Sequence, residues 1–308
     1  MTTIAHLSDP HLGPLPRPQT RELVSKRAFG YLNWRANRHG AMLSGVLETL
    51  MEDIARSAPD HIVVTGDIVN LSLDAELPLA RAWLTALGKP QDVSIVPGNH
   101  DAYVPGAIAR AGQHWGDFMC DDDAPFGPGV PQSSATTVSF PYVRRRGEVA
   151  IVGTSSARAT APLMATGHFD QSQAMRLRET LEHLGHEGLF RVVLIHHPPV
   201  REMGDWVRRL VGGSRFRAAI AAAGAEMILH GHTHKAVIEY LGGPTGPVPV
   251  VGVPAASQAP GSRWTPARYN YFDISGEPGN WHCEMVERGF RDIHSGIVEV
   301  ARRLLHGT

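Results

Sequence analysis

The chain has 308 residues, of which 43% are hydrophobic and 19% charged, the balance of a folded globular protein with a sizeable core. Its formal net charge of −1 gives no overall field that would favour nucleic acid or an anionic membrane. No run approaches the ~18 apolar residues of a membrane span, and the N-terminus enters a strand without signal-peptide features. We therefore expect a cytoplasmic protein, and nucleic acid is not an expected partner.

The first half of the chain alternates predicted strands and helices. A strand near 3–8 precedes a helix near 42–57 and a strand at 61–65. A helix near 74–87 and a strand at 93–96 continue the pattern. This alternation is typical of a layered α/β architecture with partly parallel strands.

The second half is richer in strands and predicts a second sheet packed on the first. Strands are predicted at about 136–143, 148–153, 190–195, 226–230, 235–241, 247–253 and 270–274, with helices near 171–184 and 215–223. Between Phe290 and Leu305 apolar residues recur at helical spacing, which predicts a C-terminal docking helix over about 290–305. We expect one domain over 1–308, with an insertion at about 13–40.

Five of the apolar, strand-like runs end in clusters of histidine, aspartate or asparagine. The clusters are Asp9-Pro10-His11, Gly66-Asp67, Gly98-Asn99-His100-Asp101, His196-His197 and Gly231-His232-Thr233-His234. Each cluster alone could be a turn or a helix cap, but buried strands rarely end in several polar side chains unless something pairs with them. Carboxylate, amide oxygen and neutral imidazole all donate lone pairs to metal ions. If the strand ends share one sheet edge, the clusters form a metal site, and Asp9 and His11 point to the same side of an extended chain.

These motifs resemble the calcineurin-like metallophosphoesterase superfamily, whose blocks D-x-H, G-D, G-N-H-D/E, H and G-H-x-H are all matched between residues 9 and 234. The His196-His197-Pro198-Pro199 segment, and Gly167 followed by Asp170-Gln171, look most like the bacterial branch of class III cyclic-nucleotide and glycerophosphodiester phosphodiesterases. The resemblance implies an α/β (α+β) fold, a four-layer α-β-β-α sandwich of two mixed sheets. The strand pattern agrees with it.

The same resemblance implies two divalent or trivalent metal ions bridged by the carboxylate of Asp67. The remaining ligands would be Asp9, His11 and His234 in the first site, and Asn99, His196 and His232 in the second. We expect His196 rather than His197, because related enzymes place the ligand directly before a residue that precedes proline. A ligand set of oxygen and imidazole without thiolate suits Mn, Fe or Zn.

The implied activity is hydrolysis of a small phosphodiester, such as a cyclic nucleotide or a glycerophosphodiester. A hydroxide shared by the two ions would be the nucleophile. His100 is expected near the leaving-group oxygen, as a proton donor or a stabiliser of charge, although it could instead only orient a ligand. Asp101 is expected to be its partner in catalysis.

Several residues are candidate substrate contacts because they lie beside these motifs in the sequence. They are Arg17, Arg21, Arg27, Trp34 and Arg35 from the insertion, together with His197 and Trp206. Basic and aromatic groups could hold a second phosphate, a nucleobase or a lipid head group, or they could form a solvated surface segment. Peripheral lipid contact and a homo-oligomer are both compatible with the sequence.

Two functions other than phosphodiester hydrolysis are also compatible with the sequence. One is a pyrophosphatase of a nucleotide-activated lipid or sugar, of the UDP-diacylglucosamine type; members of that branch tend to have arginine where this chain has His100. The other is a catalytically silent binding scaffold of the same fold. The complete set of ligand residues counts against the scaffold.

Overall fold

The computed structural model describes residues 1–35, 44–123, 138–200 and 206–307, and two six-stranded sheets dominate it. The first sheet contains β1 (Thr2–Leu7), β2 (His61–Val64), β3 (Val93–Ile95), β12 (Arg268–Glu277), β13 (Asn280–Gly289) and β14 (Val298–His306). Its order is β14-β13-β12-β1-β2-β3, with β1, β2 and β3 parallel and β1 antiparallel to β12.

The second sheet contains β4 (Tyr142–Arg146), β5 (Val149–Gly153), β7 (Phe190–Leu194), β9 (Met227–His230), β10 (Val237–Gly242) and β11 (Pro247–Gly252). Its order is β10-β11-β9-β7-β5-β4, and the four central strands are parallel. Two short strands, β6 (Gly167–His168) and β8 (Leu210–Val211), pair with each other outside both sheets. The prediction of two mixed sheets is confirmed.

The described helices are α1 (Thr20–Leu23), α2 (Arg27–Asn33), α3 (Ser44–Ser57), α4 (Glu76–Leu87), α5 (Ala107–Trp115), α6 (Gln171–His186) and α7 (Gly213–Ala223). The side chain of Asp170 caps α6 by accepting a hydrogen bond from the Gln173 backbone N–H at 2.8 Å. No helix within the described ranges is both long and apolar enough to cross a membrane.

Successive side chains of β7 point to opposite faces of the second sheet and show how the layers are arranged. Val192 and Leu194 join the core between the two sheets, which also contains Ile4 of β1. Val193 points to the opposite face and packs with Leu177 of α6 in a separate core. The helices α6 and α7 thus cover the outer face of the second sheet, while α3 and α4 pack on the first. The result is the expected four-layer sandwich.

The predicted C-terminal helix is wrong, because residues 298–306 form β14, which pairs antiparallel with β13. The apolar spacing fits a helix, but β13 offers an unpaired edge whose backbone groups gain hydrogen-bond partners from a strand. Leu305 packs partly against the core while Leu304 is exposed, the alternation of a strand. Here tertiary pairing outweighs local periodicity.

Other differences are smaller. Helix α5 and strand β13 were not predicted, and β4 begins at Tyr142, later than the predicted strand, whose first residues lie outside the described part of the chain. The insertion is described over 13–35 and contains the two short helices α1 and α2. Its residues 36–40 lie outside the description.

Candidate metal centre

The predicted ligands follow the carboxyl ends of parallel strands from both sheets, and the loops that carry them are tightly bent. Five of these residues have positive φ: Asp9 (52°), His11 (41°), Asp67 (55°), His232 (67°) and His234 (54°). Such angles are strained for side chains of this size, and they concentrate at functional sites. The chain after β1 is therefore not extended, so our reason for placing Asp9 and His11 on one side was wrong. The loop is instead held by hydrogen bonds from Asp9 N–H to Gly66 O (3.0 Å) and from His11 N–H to Asp67 O (3.1 Å).

The first group of donors converges on Asp9. The Oδ1 atom of Asp9 lies 3.1 Å from Nε2 of His234 and 3.8 Å from Nε2 of His11. The same His11 nitrogen lies 3.9 Å from Oδ2 of Asp67. Asp9, His11 and Asp67 are buried and His234 is partly exposed, so this group opens to solvent on the side of His234.

The second group converges on His196. Its Nε2 atom lies 3.2 Å from Oδ1 of Asn99 and 3.4 Å from Oδ2 of Asp67. The other ring nitrogen, Nδ1, is 2.6 Å from the carbonyl oxygen of Thr65, which fixes the ring. His232 stacks edge-on to His196 with ring centroids 5.1 Å apart, and its Nε2 is 3.1 Å from Arg208 O. That contact leaves Nδ1 of His232 for a metal.

Asp67 is shared by both groups through a single oxygen. Its Oδ2 faces His11 and His196, while its Oδ1 accepts a hydrogen bond from the His100 backbone N–H at 2.7 Å. Oδ2 is therefore the atom of this carboxylate that is common to both groups.

The glycines of the motifs are required by close approach of these loops. A Cβ atom on Gly98 would lie 2.1 Å from Oδ1 of Asp67, and one on Gly231 would lie 2.5 Å from Oδ2 of Asp9. Any side chain at these positions would displace a carboxylate of the cluster.

Charge within the cluster is arranged as a metal requires. Burial disfavours ionisation of Asp67, but His196 and His100 hold the pKa of this carboxyl well below its usual range. Burial also opposes charge on His196, yet Asp67 raises the pKa of the ring above its ordinary value. Burial, reinforced by His196, lowers the pKa of His232 to about 3 and keeps it neutral. A metal would replace the proton that pairs His196 with Asp67.

The donor set fits metal ions. Asp9, His11 and His234 form one group whose donor atoms all lie within 4.8 Å of one another, and Asp9, Asp67 and His196 form another. Two ionised carboxylates face imidazole nitrogens there, with an amide oxygen from Asn99 beside them. These are the ligand types of borderline divalent and trivalent ions.

His197 lies behind the cluster and is not open to a substrate. It is fully buried, with Nδ1 2.8 Å from Ser156 Oγ and Nε2 3.1 Å from Ala165 O. Its ring packs against His232 at 4.3 Å between centroids. Both nitrogens are therefore engaged, which favours His196 as the ligand and corrects the expectation that His197 contacts substrate.

His100 lies against the first group of donors. Its ring meets that of His11 edge-on at 4.8 Å between centroids and lies 5.6 Å from the ring of Tyr103. The Nδ1 atom hydrogen-bonds the carbonyl oxygen of Asn70, which orients the ring. The orienting partner that we assigned to Asp101 is thus a backbone carbonyl.

Asp101 joins the two ligand loops. Its Oδ2 accepts hydrogen bonds from the backbone N–H groups of Asp67 (2.9 Å) and Gly98 (2.8 Å). Its Oδ1 accepts from those of Ile68 (3.0 Å) and Val69 (3.1 Å). A buried carboxylate with four backbone donors is a positioning residue, and the geometry does not support the catalytic role that we expected for it.

Arg27 is also structural. It is buried, and its guanidinium donates to the carbonyl oxygens of Leu71 (3.0 Å) and Ser72, with the carboxylate of Glu22 at 3.8 Å. It therefore anchors the insertion to the loop after β2. The expectation that Arg27 contacts substrate is corrected.

The other predicted substrate contacts lie nearer to solvent. Arg17 is exposed, Arg21 pairs with Asp74 at 3.3 Å, and Trp34 is half-buried. Arg35 lies 6.0 Å from the ring of Tyr31. Trp206 is 65% exposed, with the guanidinium of Arg209 5.3 Å from its ring.

Sequence reasoning missed the backbone groups that orient the histidines: the carbonyl oxygens of Thr65, Asn70 and Arg208. No side-chain pattern could reveal them. It also missed Tyr103, whose ring lies near that of His100 and has the Nζ of Lys26 4.2 Å from its centroid. An aromatic residue two positions after the Gly98–Asp101 motif was the available signal.

Comparison with known proteins agrees with this geometry. The calcineurin-like phosphoesterase family profile matches residues 2–236. A glycerophosphodiester phosphodiesterase, GpdQ, of Enterobacter lignolyticus is 36% identical over 98 residues, which are 32% of this chain and 29% of that protein. A crystal structure of a dimetal phosphatase from Danio rerio superposes with a TM-score of 0.61 at 13% identity, covering 100% of this chain and 99% of that one. At that identity the superposition shows the shared fold.

The chain therefore belongs to the calcineurin-like phosphoesterase family. The protein is a metal-dependent phosphoesterase, the enzyme class defined by this family and by the donor cluster.

Proposed function

We propose that the protein hydrolyses phosphodiester bonds with a pair of metal ions held by this cluster. The observation that carries the proposal is the sharing of Asp67 Oδ2 between the two groups of donors. The first ion would be held by Asp9, His11, Asp67 and His234, and the second by Asp67, Asn99, His196 and His232. Manganese, iron and zinc suit these donors.

When bound, two such ions supply an activated water and neutralise charge that builds up on the phosphate. The protein's own contribution is to fix the donors and to place His100. Hydrogen bonding of Nδ1 to Asn70 O stabilises a protonated ring, whose Nε2–H can be given to the departing oxygen. The Tyr103 ring lies beside His100, with ring centroids 5.6 Å apart.

Support for a small diester as substrate comes from His100 and from the relative named a glycerophosphodiester phosphodiesterase. A single proton donor beside a dinuclear cluster suits the departure of one alkoxide. Glycerophosphodiesters and cyclic nucleotides are accordingly the first substrates to test.

The test is a hydrolysis screen of the Mn²⁺-loaded protein. We expect bis(p-nitrophenyl) phosphate to be cleaved faster than p-nitrophenyl phosphate, and one natural diester class to exceed UDP-sugars and phosphomonoesters. Asp67→Asn should abolish turnover and bound metal, whereas the surface cap variant Asp170→Asn should change neither. Preference for a UDP-sugar would indicate the pyrophosphatase, and absence of both metal and hydrolysis would indicate the scaffold.

A further inference from the structure

Three segments around the metal cluster combine positive charge with exposed apolar side chains. Residues 13–35, 154–168 and 206–217, here called the basic-apolar rim, make up about a sixth of the chain. They hold ten of its 29 lysines and arginines but one of its 30 acidic residues, Glu22, which is buried together with one of the ten cations, Arg27. The near-neutral net charge of the whole protein therefore hides a strongly basic region.

The segments of the rim are joined to one another. The Nζ of Lys26 donates to Thr160 Oγ1 at 3.2 Å, and the N–H of Ala165 donates to Val207 O at 2.9 Å. The pairing of β6 with β8 continues the second junction. The three segments thus form one continuous border.

This border lies directly beside the metal cluster. The carbonyl oxygens of Ala165 and Arg208 bond the Nε2 atoms of His197 and His232, each at 3.1 Å. Whatever docks on the rim is therefore brought to the mouth of the site.

Large apolar side chains project from every segment of the rim. Val24, Phe29, Leu32, Leu163 and Trp206 are each more than 60% exposed. Within the described part of the chain, no carboxylate lies within 4 Å of the cationic groups of Arg158 or Arg208. Cations with no acidic partner among the described residues, lying beside exposed apolar groups, mark an interaction surface.

Leu163 is the most informative residue of the rim. It is 92% exposed and has φ of +65°, at the third position of a turn closed by a hydrogen bond from Met164 N–H to Ala161 O at 3.2 Å. Glycine or asparagine would adopt this conformation with less strain. A leucine that is strained and almost wholly in solvent contributes nothing to the core, so the fold does not explain it.

We propose that the basic-apolar rim docks on the surface of an anionic phospholipid bilayer. Arginine and lysine would lie among the anionic head groups, and the side chains of Leu163, Leu32 and Val24 would enter the boundary of the acyl chains. Trp206 belongs at the same interface. Single-stranded nucleic acid also binds basic and aromatic groups, but it stacks on rings and has no use for three exposed aliphatic side chains.

Vesicle flotation of the full-length, Mn²⁺-loaded protein tests the docking without depending on the proposed activity. We expect the protein to float with vesicles of phosphatidylcholine and phosphatidylglycerol, and to float much less with phosphatidylcholine alone or at high salt. Leu163→Gly removes the apolar group and relieves the turn, so it should weaken partitioning by about tenfold with an unchanged or higher melting temperature.

The matched control is Leu304→Ser, which removes an exposed leucine from β14, at the edge of the first sheet and three strands from β1. It should leave flotation unchanged. The proposal is overturned if the wild-type protein does not float with anionic vesicles, or if Leu163→Gly floats as the wild type does. It is also overturned if an oligothymidylate is bound in preference to the vesicles.

Discussion

The replacement Asp101→Asn separates a positioning role of this residue from a catalytic one. The carboxylate accepts four backbone hydrogen bonds, two at each oxygen. Asparagine keeps one acceptor oxygen and turns an NH₂ group toward the other two donors. Each buried donor left without a partner costs about 1–3 kcal/mol, so the variant should lose roughly 2–6 kcal/mol of folding free energy. At about 2 °C per kcal/mol for a chain of this size, the melting temperature should fall by roughly 4–12 °C.

The assay is thermal unfolding followed by circular dichroism in excess EDTA, so that bound metal does not contribute to stability. The matched control is Asp170→Asn, because asparagine caps a helix as well as aspartate does, and its melting temperature should equal that of the wild type. Metal binding by Asp101→Asn should weaken, since the loops bearing Asp67 and Asn99 lose their common anchor. If the variant instead melts at the wild-type temperature, keeps its metal and loses turnover, Asp101 acts in catalysis and not in positioning.

Three further predictions concern other parts of the molecule. His100→Ala should lower kcat by about 10²–10⁴ while metal content, measured by plasma mass spectrometry, stays at the wild-type level; loss of the metal would mean that His100 is a ligand. Arg27→Met should expose the insertion to trypsin, because it leaves Glu22 buried beside no cation; equal cleavage rates for this variant and the exposed-site control Arg17→Met would argue against the anchor. Burial opposes charge on Asp53, but its hydrogen bonds to Arg288 and Tyr269 lower the pKa of its carboxyl. The folded state therefore binds this proton less readily than the unfolded chain, so Asp53→Asn should destabilise the protein above about pH 4, and the difference in urea midpoint should shrink as pH falls further. A difference in urea midpoint that stays constant with pH would contradict this role of the Asp53 carboxylate.

The layered fold and the donor residues could be predicted from the sequence because both depend on local sequence patterns. Buried parallel strands read as continuous apolar runs, such as 62–64 and 192–195, and their carboxyl ends necessarily share a sheet edge. The residues that follow these strands are therefore neighbours at that edge, and the prediction does not depend on the loop conformations. The ligand residues therefore lie together even though the Asp9–His11 segment is not extended as we expected.

The predictions that proved wrong concern residues whose partners are distant in sequence. Those partners are backbone groups, which no side-chain pattern reveals. Residues 298–306 form a strand because β13 presents an edge, and nothing within those residues reports that edge. Arg27 appears in sequence as one of several cations beside the site, yet carbonyl oxygens 44 and 45 positions away hold it in the interior. Asp101 likewise follows a histidine in sequence, but it bonds to the backbone of another loop.

Anomalous diffraction from crystals of the Mn²⁺-loaded protein would locate the metal ions themselves. We predict two peaks about 3.5–4 Å apart, one on either side of Asp67 Oδ2, with His196 rather than His197 bound to the second ion. A single peak, or none near Asp67, would contradict a dinuclear centre.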